Sequence, residues 1–233
     1  MPFVAHPLII AHRGASAEQP ENTLPAFRRA LALGVNGIEL DVHVTRDGVP
    51  VVFHDEGLRR LTGRTGRIPR LRWADVRRLR VRGAAPIPSL VDVLRLVRGR
   101  AVVQIELKRG APVGPVVRVV RKQRAEKSVI LASFSQKLVH DARRLAPGIP
   151  RMLISGGKAG RDALLRSLRR CGAAGLSVDH HAIRSAAWVR HFQSRGFTVW
   201  CWTVNDPRAM RRLAGWGVDA LLGDNPALMK RTL

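Results

Sequence analysis

Glu39 and Asp41 stand two residues apart in an otherwise apolar run, and Glu106 and Lys108 repeat that spacing further along the chain. If both runs are strands, the two members of each pair leave the same face, because side chains alternate across a strand. Three carboxylates brought together without a counter-ion raise one another's pKa values and resist ionisation, so their convergence asks for a hard divalent cation, Mg2+ or Ca2+. A donor set of oxygens without cysteine argues against zinc. His12 and His54 end two other apolar runs, and an imidazole gives or takes a proton near neutral pH. Arg13 and Lys108 are suited to phosphate oxygens, the first with a planar fork and the second as a point charge. Together these groups describe phosphodiester cleavage better than glycosidic chemistry, which needs two carboxylates but no phosphate clamp. The plainer reading, that each acid pairs with one of the many arginines, accounts for any one of them more easily than for all three.

Such a constellation needs elements that bring distant strand ends together. Nine β-rich runs are expected as strands, at residues 8–11, 37–44, 49–54, 101–107, 128–133, 151–154, 175–178, 198–204 and 218–222. Amphipathic segments lie between most of them, the signature of repeated βα units around a parallel sheet. Asn22 and Thr23, both good helix-capping types, open the first helical segment. Residues 45–48 are too few for a parallel crossover, so the second and third runs must form a hairpin. With Asp47-Gly48 as a two-residue turn, Arg46 faces Val49, Asp41 faces His54, and Pro50 falls where no ladder hydrogen bond is lost. Eight parallel strands then remain, the number of a TIM barrel, whose active site lies at the C-terminal ends of the strands. The alternative, a doubly wound open sheet, lacks a Gly-x-Gly-x-x-Gly turn after the first strand. Residues 1–233 are expected to form one barrel domain, with 56–88 a small insertion over its mouth, too short for its own domain.

Composition fits this plan: 45% of the 233 residues are hydrophobic and 25% charged, ordinary values for a globular chain large enough to need no disulfide or metal for its core. Cys171 and Cys201 sit in apolar stretches without ligand spacing and are expected to be reduced packing residues. The apolar run at 8–11 is too short for a leader and no stretch is long enough for a membrane span, so a cytoplasmic protein is expected. The net charge of +24 is unusual, and ten arginines between Arg59 and Arg82 face a single acid, Asp75. Such a field attracts anions without choosing among them. His180 and His181, after Asp179, are expected near the mouth but peripheral to it.

The motifs His12-Arg13-Gly14, Pro20-Glu21-Asn22-Thr23, Glu39-Leu40-Asp41-Val42, Thr45-Arg46-Asp47-Gly48, Val51-Val52-Phe53-His54-Asp55, Ile105-Glu106-Leu107-Lys108 and Trp202-Thr203-Val204-Asn205 together resemble the glycerophosphodiester phosphodiesterase family. Gly217-Val218-Asp219-Ala220 and Gly223-Asp224-Asn225-Pro226 look like that family's last strand and helix start. The resemblance implies a TIM barrel hydrolysing glycerophosphodiesters to sn-glycerol 3-phosphate and an alcohol. It makes Glu39, Asp41 and Glu106 ligands of one divalent metal, His12 and His54 the general acid and base, and Arg13 and Lys108 phosphate contacts. Glu21 and Asn205 would support that site from behind, Glu21 by orienting a histidine or arginine. Phe134 and Trp202 would line the pocket, although a core position suits Phe134 as well. Attack by the substrate's own 2-hydroxyl, giving a cyclic phosphate that water opens, is the expected route. One departure is Val91, which stands where an acid is common in the family, with nothing nearby that visibly compensates.

Two rivals follow from the same residues. One is phospholipase D-type hydrolysis of lysophospholipids on the same barrel, with the basic insertion resting on an anionic lipid surface. The other is a nucleic-acid-binding protein using the positive field, but the basic residues are not interleaved with aromatics and the chain has no tyrosine. No specific nucleic acid is therefore expected as a partner.

Overall fold

The computed structural model describes residues 6–233, so the first five residues of the expected domain lie outside the described residues. Its strands are β1 (Leu8–His12), β2 (Gly37–Val44), β3 (Pro50–Val52), β4 (Arg80–Val81), β5 (Ala85–Pro86), β6 (Val102–Leu107), β7 (Val129–Ser133), β8 (Arg151–Ser155), β9 (Gly175–Asp179), β10 (Thr198–Trp202) and β11 (Ala220–Gly223). The α-helices are α1 (Leu24–Ala32), α2 (Arg59–Thr62), α3 (Trp73–Val76), α4 (Leu90–Val97), α5 (Val113–Lys122), α6 (Gln136–Leu145), α7 (Arg161–Cys171), α8 (Ala186–Gln193), α9 (Pro207–Gly215) and α10 (Pro226–Thr232).

Eight strands run parallel in the order β1, β11, β10, β9, β8, β7, β6, β2, and β2 returns to pair with β1, which closes the barrel. The open-sheet alternative is thereby excluded. Alternation along each strand divides the core in two. Inward residues such as Ile10, Ala132, Met152, Ile154, Trp200 and Leu222 fill the barrel. Outward ones such as Ile38, Leu40, Val103 and Leu131 pack against the helix ring with Phe27, Leu90 and Val116. Fully burying a side chain of this size contributes roughly 1.5–3 kcal/mol, so this double layer dominates the stability.

The hairpin register differs by one residue from that expected. Val42 pairs with Val52, His43 with Val51 and Val44 with Pro50. The loop holds three residues, because the Thr45 N–H donates to the Val49 carbonyl at 3.0 Å and Gly48 adopts φ +82°, the three-residue turn ending in a left-handed residue. Thr45 Oγ1 locks it, donating to Asp47 at 2.6 Å and accepting the Val49 N–H at 3.0 Å. A slip of one residue exchanges the faces of a strand, so Phe53, not His54, lies across from Asp41, its N–H on the Asp41 carbonyl at 2.9 Å. The Val52 N–H points away from β2, to Pro88, and Pro50, two residues back, lies on that same side, so its missing donor still costs no ladder bond.

Beyond β3 the insertion builds a small core of its own: Leu58, Leu61, Ile68, Val76, Val81 and Ile87 pack on Val51 and Phe53. The β4–β5 hairpin within it is too short to show in a hydrophobic pattern. Two helix starts also correct the sequence reading. Thr23 caps α1, its hydroxyl accepting the Ala26 N–H, while Asn22 turns elsewhere. At α4 Asp92, next to Val91, forms a capping box in which its carboxylate accepts from the Ser89 N–H at 3.0 Å and hydroxyl at 2.6 Å.

Candidate active site

The C-terminal end of β2 carries the centre of the site. Glu39 and Asp41 point into the barrel mouth, buried to 4% and 1% exposure, and the neighbouring strand β6 sets Glu106 level with Asp41. One oxygen from each of the three carboxylates lies within 4.8 Å of the others. Lys108 Nζ bridges Asp41 at 2.8 Å and Glu106 at 2.5 Å. Arg13 offers its backbone N–H to Glu39 at 3.0 Å and brings Nε to 3.5 Å from Asp41, where it finds no hydrogen bond. Burial works to raise Asp41, but Lys108 and then Arg13 outweigh it and hold the carboxyl well below the usual range. Glu39 lacks such a cation: burial, and then Asp41 beside it, push it up to about 8. Burial and Asp41 raise Glu106 as well. Two fixed cations thus serve three converging carboxylates, and the oxygen donors fit a hard divalent cation, which would relieve the charge that Glu39 and Glu106 resist.

Two imidazoles flank this cluster. His12, at the end of β1, has Nδ1 2.7 Å from Asp224 and Nε2 3.9 Å from Glu39. Burial opposes its charge, but the Asp224 bond and then Glu39 raise its pKa. His54 reaches the mouth because the chain leaves the sheet after β3, not through a cross-strand pair. Its carbonyl lies 3.3 Å from His43 Nε2 and its Nδ1 2.8 Å from Asp55, and burial chiefly lowers its pKa. In both cases a carboxylate takes Nδ1.

The supporting positions are also in place. Glu21 accepts from Arg13 at 2.8 Å and from both Arg60 terminal nitrogens at 2.9 and 3.0 Å, so it orients an arginine. Asn205 Nδ2 donates to Asp224 at 2.6 Å, and its Oδ1 accepts the Asp224 N–H at 2.9 Å. Phe134 is 53% exposed, which removes the core alternative, and it meets Trp202 edge-on with ring centroids 5.8 Å apart. His12, Arg13, Glu21, Asn205 and Asp224 line one cavity of about 580 Å3. Asp179 and His181 bond to each other at 2.8 Å, with His181 facing solvent.

Sequence reasoning missed four residues. Asp224 and Asp55 sat inside quoted motifs, but their type is also that of any surface acid. His43 continues the inward spacing of Glu39 and Asp41, a signal that was available. Asn22, read as a cap, has φ +59° and donates Nδ2 to Asp41 Oδ2 at 2.7 Å.

A closed (β/α)8 barrel whose mouth gathers buried carboxylates, paired imidazoles and fixed cations is the build of a hydrolytic enzyme for an anionic substrate. The chain belongs to the glycerophosphoryl diester phosphodiesterase family, whose model matches residues 12–228. It is 31% identical to a glycerophosphodiester phosphodiesterase of Caldanaerobacter subterraneus subsp. tengcongensis, over 94% of each chain. Among solved structures it resembles an Oleispira antarctica phosphodiesterase in complex with the product sn-glycerol-3-phosphate, with a TM-score of 0.89, 26% identity and coverage of 97% of this chain and 96% of that one. A glycerophosphodiester phosphodiesterase from Thermotoga maritima gives a TM-score of 0.86 at 27% identity, covering 98% and 99% of the two chains.

Proposed function

We propose that the chain hydrolyses glycerophosphodiesters to sn-glycerol 3-phosphate and an alcohol, with the site residues in the following roles. The convergence of Glu39, Asp41 and Glu106 between two carboxylate-oriented imidazoles carries the reading. Those three acids would hold one divalent cation, Mg2+ or Ca2+, which supplies Lewis acidity toward phosphoryl oxygen. Arg13 and Lys108 bind the phosphate oxygens; Glu21 keeps Arg13 extended, and Asn205 keeps Asp224 on His12. Phe134 and Trp202 form a wall against one arm of the diester.

His12 and His54 carry the protons. One takes the proton of the substrate's 2-hydroxyl as that oxygen attacks phosphorus, and the other protonates the head-group oxygen as its bond to phosphorus breaks. The attack is intramolecular, so little orientational entropy remains to be lost. Water then opens the cyclic phosphate, with the two histidines exchanging roles, to give sn-glycerol 3-phosphate.

The insertion supports contact with anionic membranes, because all ten of its arginines are exposed and, among the described residues, only Arg60 and Arg67 make ion pairs. The buried, unpaired Cys171 and Cys201 suit a reducing compartment, the cytoplasm. No helix among the described residues is long and apolar enough to cross a membrane.

The test is glycerol 3-phosphate release by chelator-stripped protein with Mg2+, Ca2+ or neither. Release is expected only with metal, to be lost in Glu39→Ala and to fall about 10^2- to 10^4-fold in His12→Ala and His54→Ala while circular dichroism is unchanged. Near wild-type turnover in either histidine variant would overturn the assignment. Head-group release from lysophospholipid, with no glycerol 3-phosphate from glycerophosphodiesters, would favour the phospholipase D-type reading.

A further inference from the structure

The cavity that holds His12, Arg13 and Asp224 has one charged lining residue that the proposed reaction does not use: Arg82, at the tip of the β4–β5 hairpin. Its backbone lies in the left-handed region at φ +50°, followed by Gly83 at +71°. Asparagine or glycine fits the first of two such positions without strain, and arginine does not. A strained residue at the edge of a site is a reason to look for a function. The Arg82 N–H donates to the Leu61 carbonyl at 2.6 Å, which ties the hairpin tip to α2.

The charge balance singles out the same residue. Arg13 is held by Glu21, and Arg60, behind it, by Glu21 and Asp55. Asp224, the other carboxylate of the cavity wall, is engaged by His12, Ser16 and Asn205. Arg82, exposed on the cavity wall, has no carboxylate at ion-pair distance among the described residues, so its charge there is uncancelled.

We infer that Arg82 is a specificity-determining residue that binds an anionic group on the head-group half of the substrate. The inference rests on the function proposed above, in which Arg13 and Lys108 already serve the scissile phosphate. The glycerol half carries only hydroxyls, so a further negative charge can come only from the head group. A carboxylate or second phosphate there matches the planar fork of a guanidinium. The enzyme therefore prefers diesters with such a head group over those whose head group bears only a cation.

Glycerophosphoserine and glycerophosphoethanolamine differ by one carboxylate and form a matched pair. The ratio of their kcat/KM values, serine over ethanolamine, is expected to exceed one in the metal-loaded wild type and to fall about fivefold in Arg82→Ala, the scale of one exposed ion pair. Arg82→Lys, which keeps the charge but loses the planar fork, is expected to keep only part of the ratio. Arg118→Ala, which removes an exposed charge from α5, is expected to leave it unchanged. An unaltered ratio in Arg82→Ala, a parallel loss on both substrates, or an equal shift in Arg118→Ala would overturn the inference while leaving the proposed reaction standing. No glycerol 3-phosphate from either substrate would instead overturn the reaction, and the role of Arg82 with it.

Discussion

At the scale of single residues the candidate site also contains carboxylates that hold other side chains, Asp224 on His12 and Asp55 on His54. Burial works to raise Asp224, but its hydrogen bond to His12 outweighs this and holds the carboxyl down to about 2, against the usual 3.8. A carboxyl depressed in the folded state contributes stability that is present above its unfolded pKa and is lost as the pH falls through the folded one. The urea midpoint of the wild type is therefore expected to drop between pH 4 and pH 2 more steeply than that of Asp224→Asn, and equal slopes would show that the pair does not stabilise the fold. The residues that converge at the mouth were legible because acids, imidazoles and cations are conspicuous at the ends of apolar runs. Asp224, Asp55 and Asn22 were not, because what distinguishes them from surface residues is a partner supplied by the fold: Asp224 meets His12 across 212 positions of sequence.

At the scale of elements, two glycines separate backbone strain from close approach. A Cβ on Gly48 would meet nothing within 4 Å, whereas one on Gly14 would lie 2.8 Å from Ala26 backbone and side-chain carbon, and both residues have φ +82°. Gly48→Ala is expected to cost only the left-handed strain, about 1–2 kcal/mol, with activity kept. Gly14→Ala must also push α1 away from the loop bearing Arg13, so denaturant titration is expected to show a larger loss, together with lower turnover. Equal losses would mean that the contact with α1 yields freely. Strand positions were legible in the sequence to within a few residues because a buried parallel strand announces itself by its β-branched run. The hairpin register was not: Asp47-Gly48 signals a two-residue turn, and only the hydroxyl of Thr45, bonding on both sides, selects the three-residue one. Asp92 escaped notice for a similar reason, since its role in capping α4 depends on where the helix begins.

At the scale of the whole molecule, charge and closure act over the longest distances. The exposed arginines of the insertion are expected to bind vesicles containing anionic lipid at low salt and to release them as salt screens the contact over about 10 Å at 0.1 M. Co-sedimentation measures this, and binding to neutral vesicles, or binding indifferent to salt, would remove the membrane from the account. The excess charge was plain from composition, but its place was not, because only the fold sets Arg82 on the cavity wall and the other arginines of the insertion outside it. The barrel was legible as a count of strands. Its closure, with β1 lying between β2 and β11, was expected only by analogy with barrels of that count. That closure also bears on the order of events during synthesis. Translation delivers His12 with the first strand, yet the carboxylate that orients it and the strand that flanks it emerge only after nearly all the intervening chain. A nascent chain stalled before Asp224 would hold Glu39, Asp41, Glu106 and both histidines but neither the carboxylate on His12 nor the strand that closes the barrel on that side.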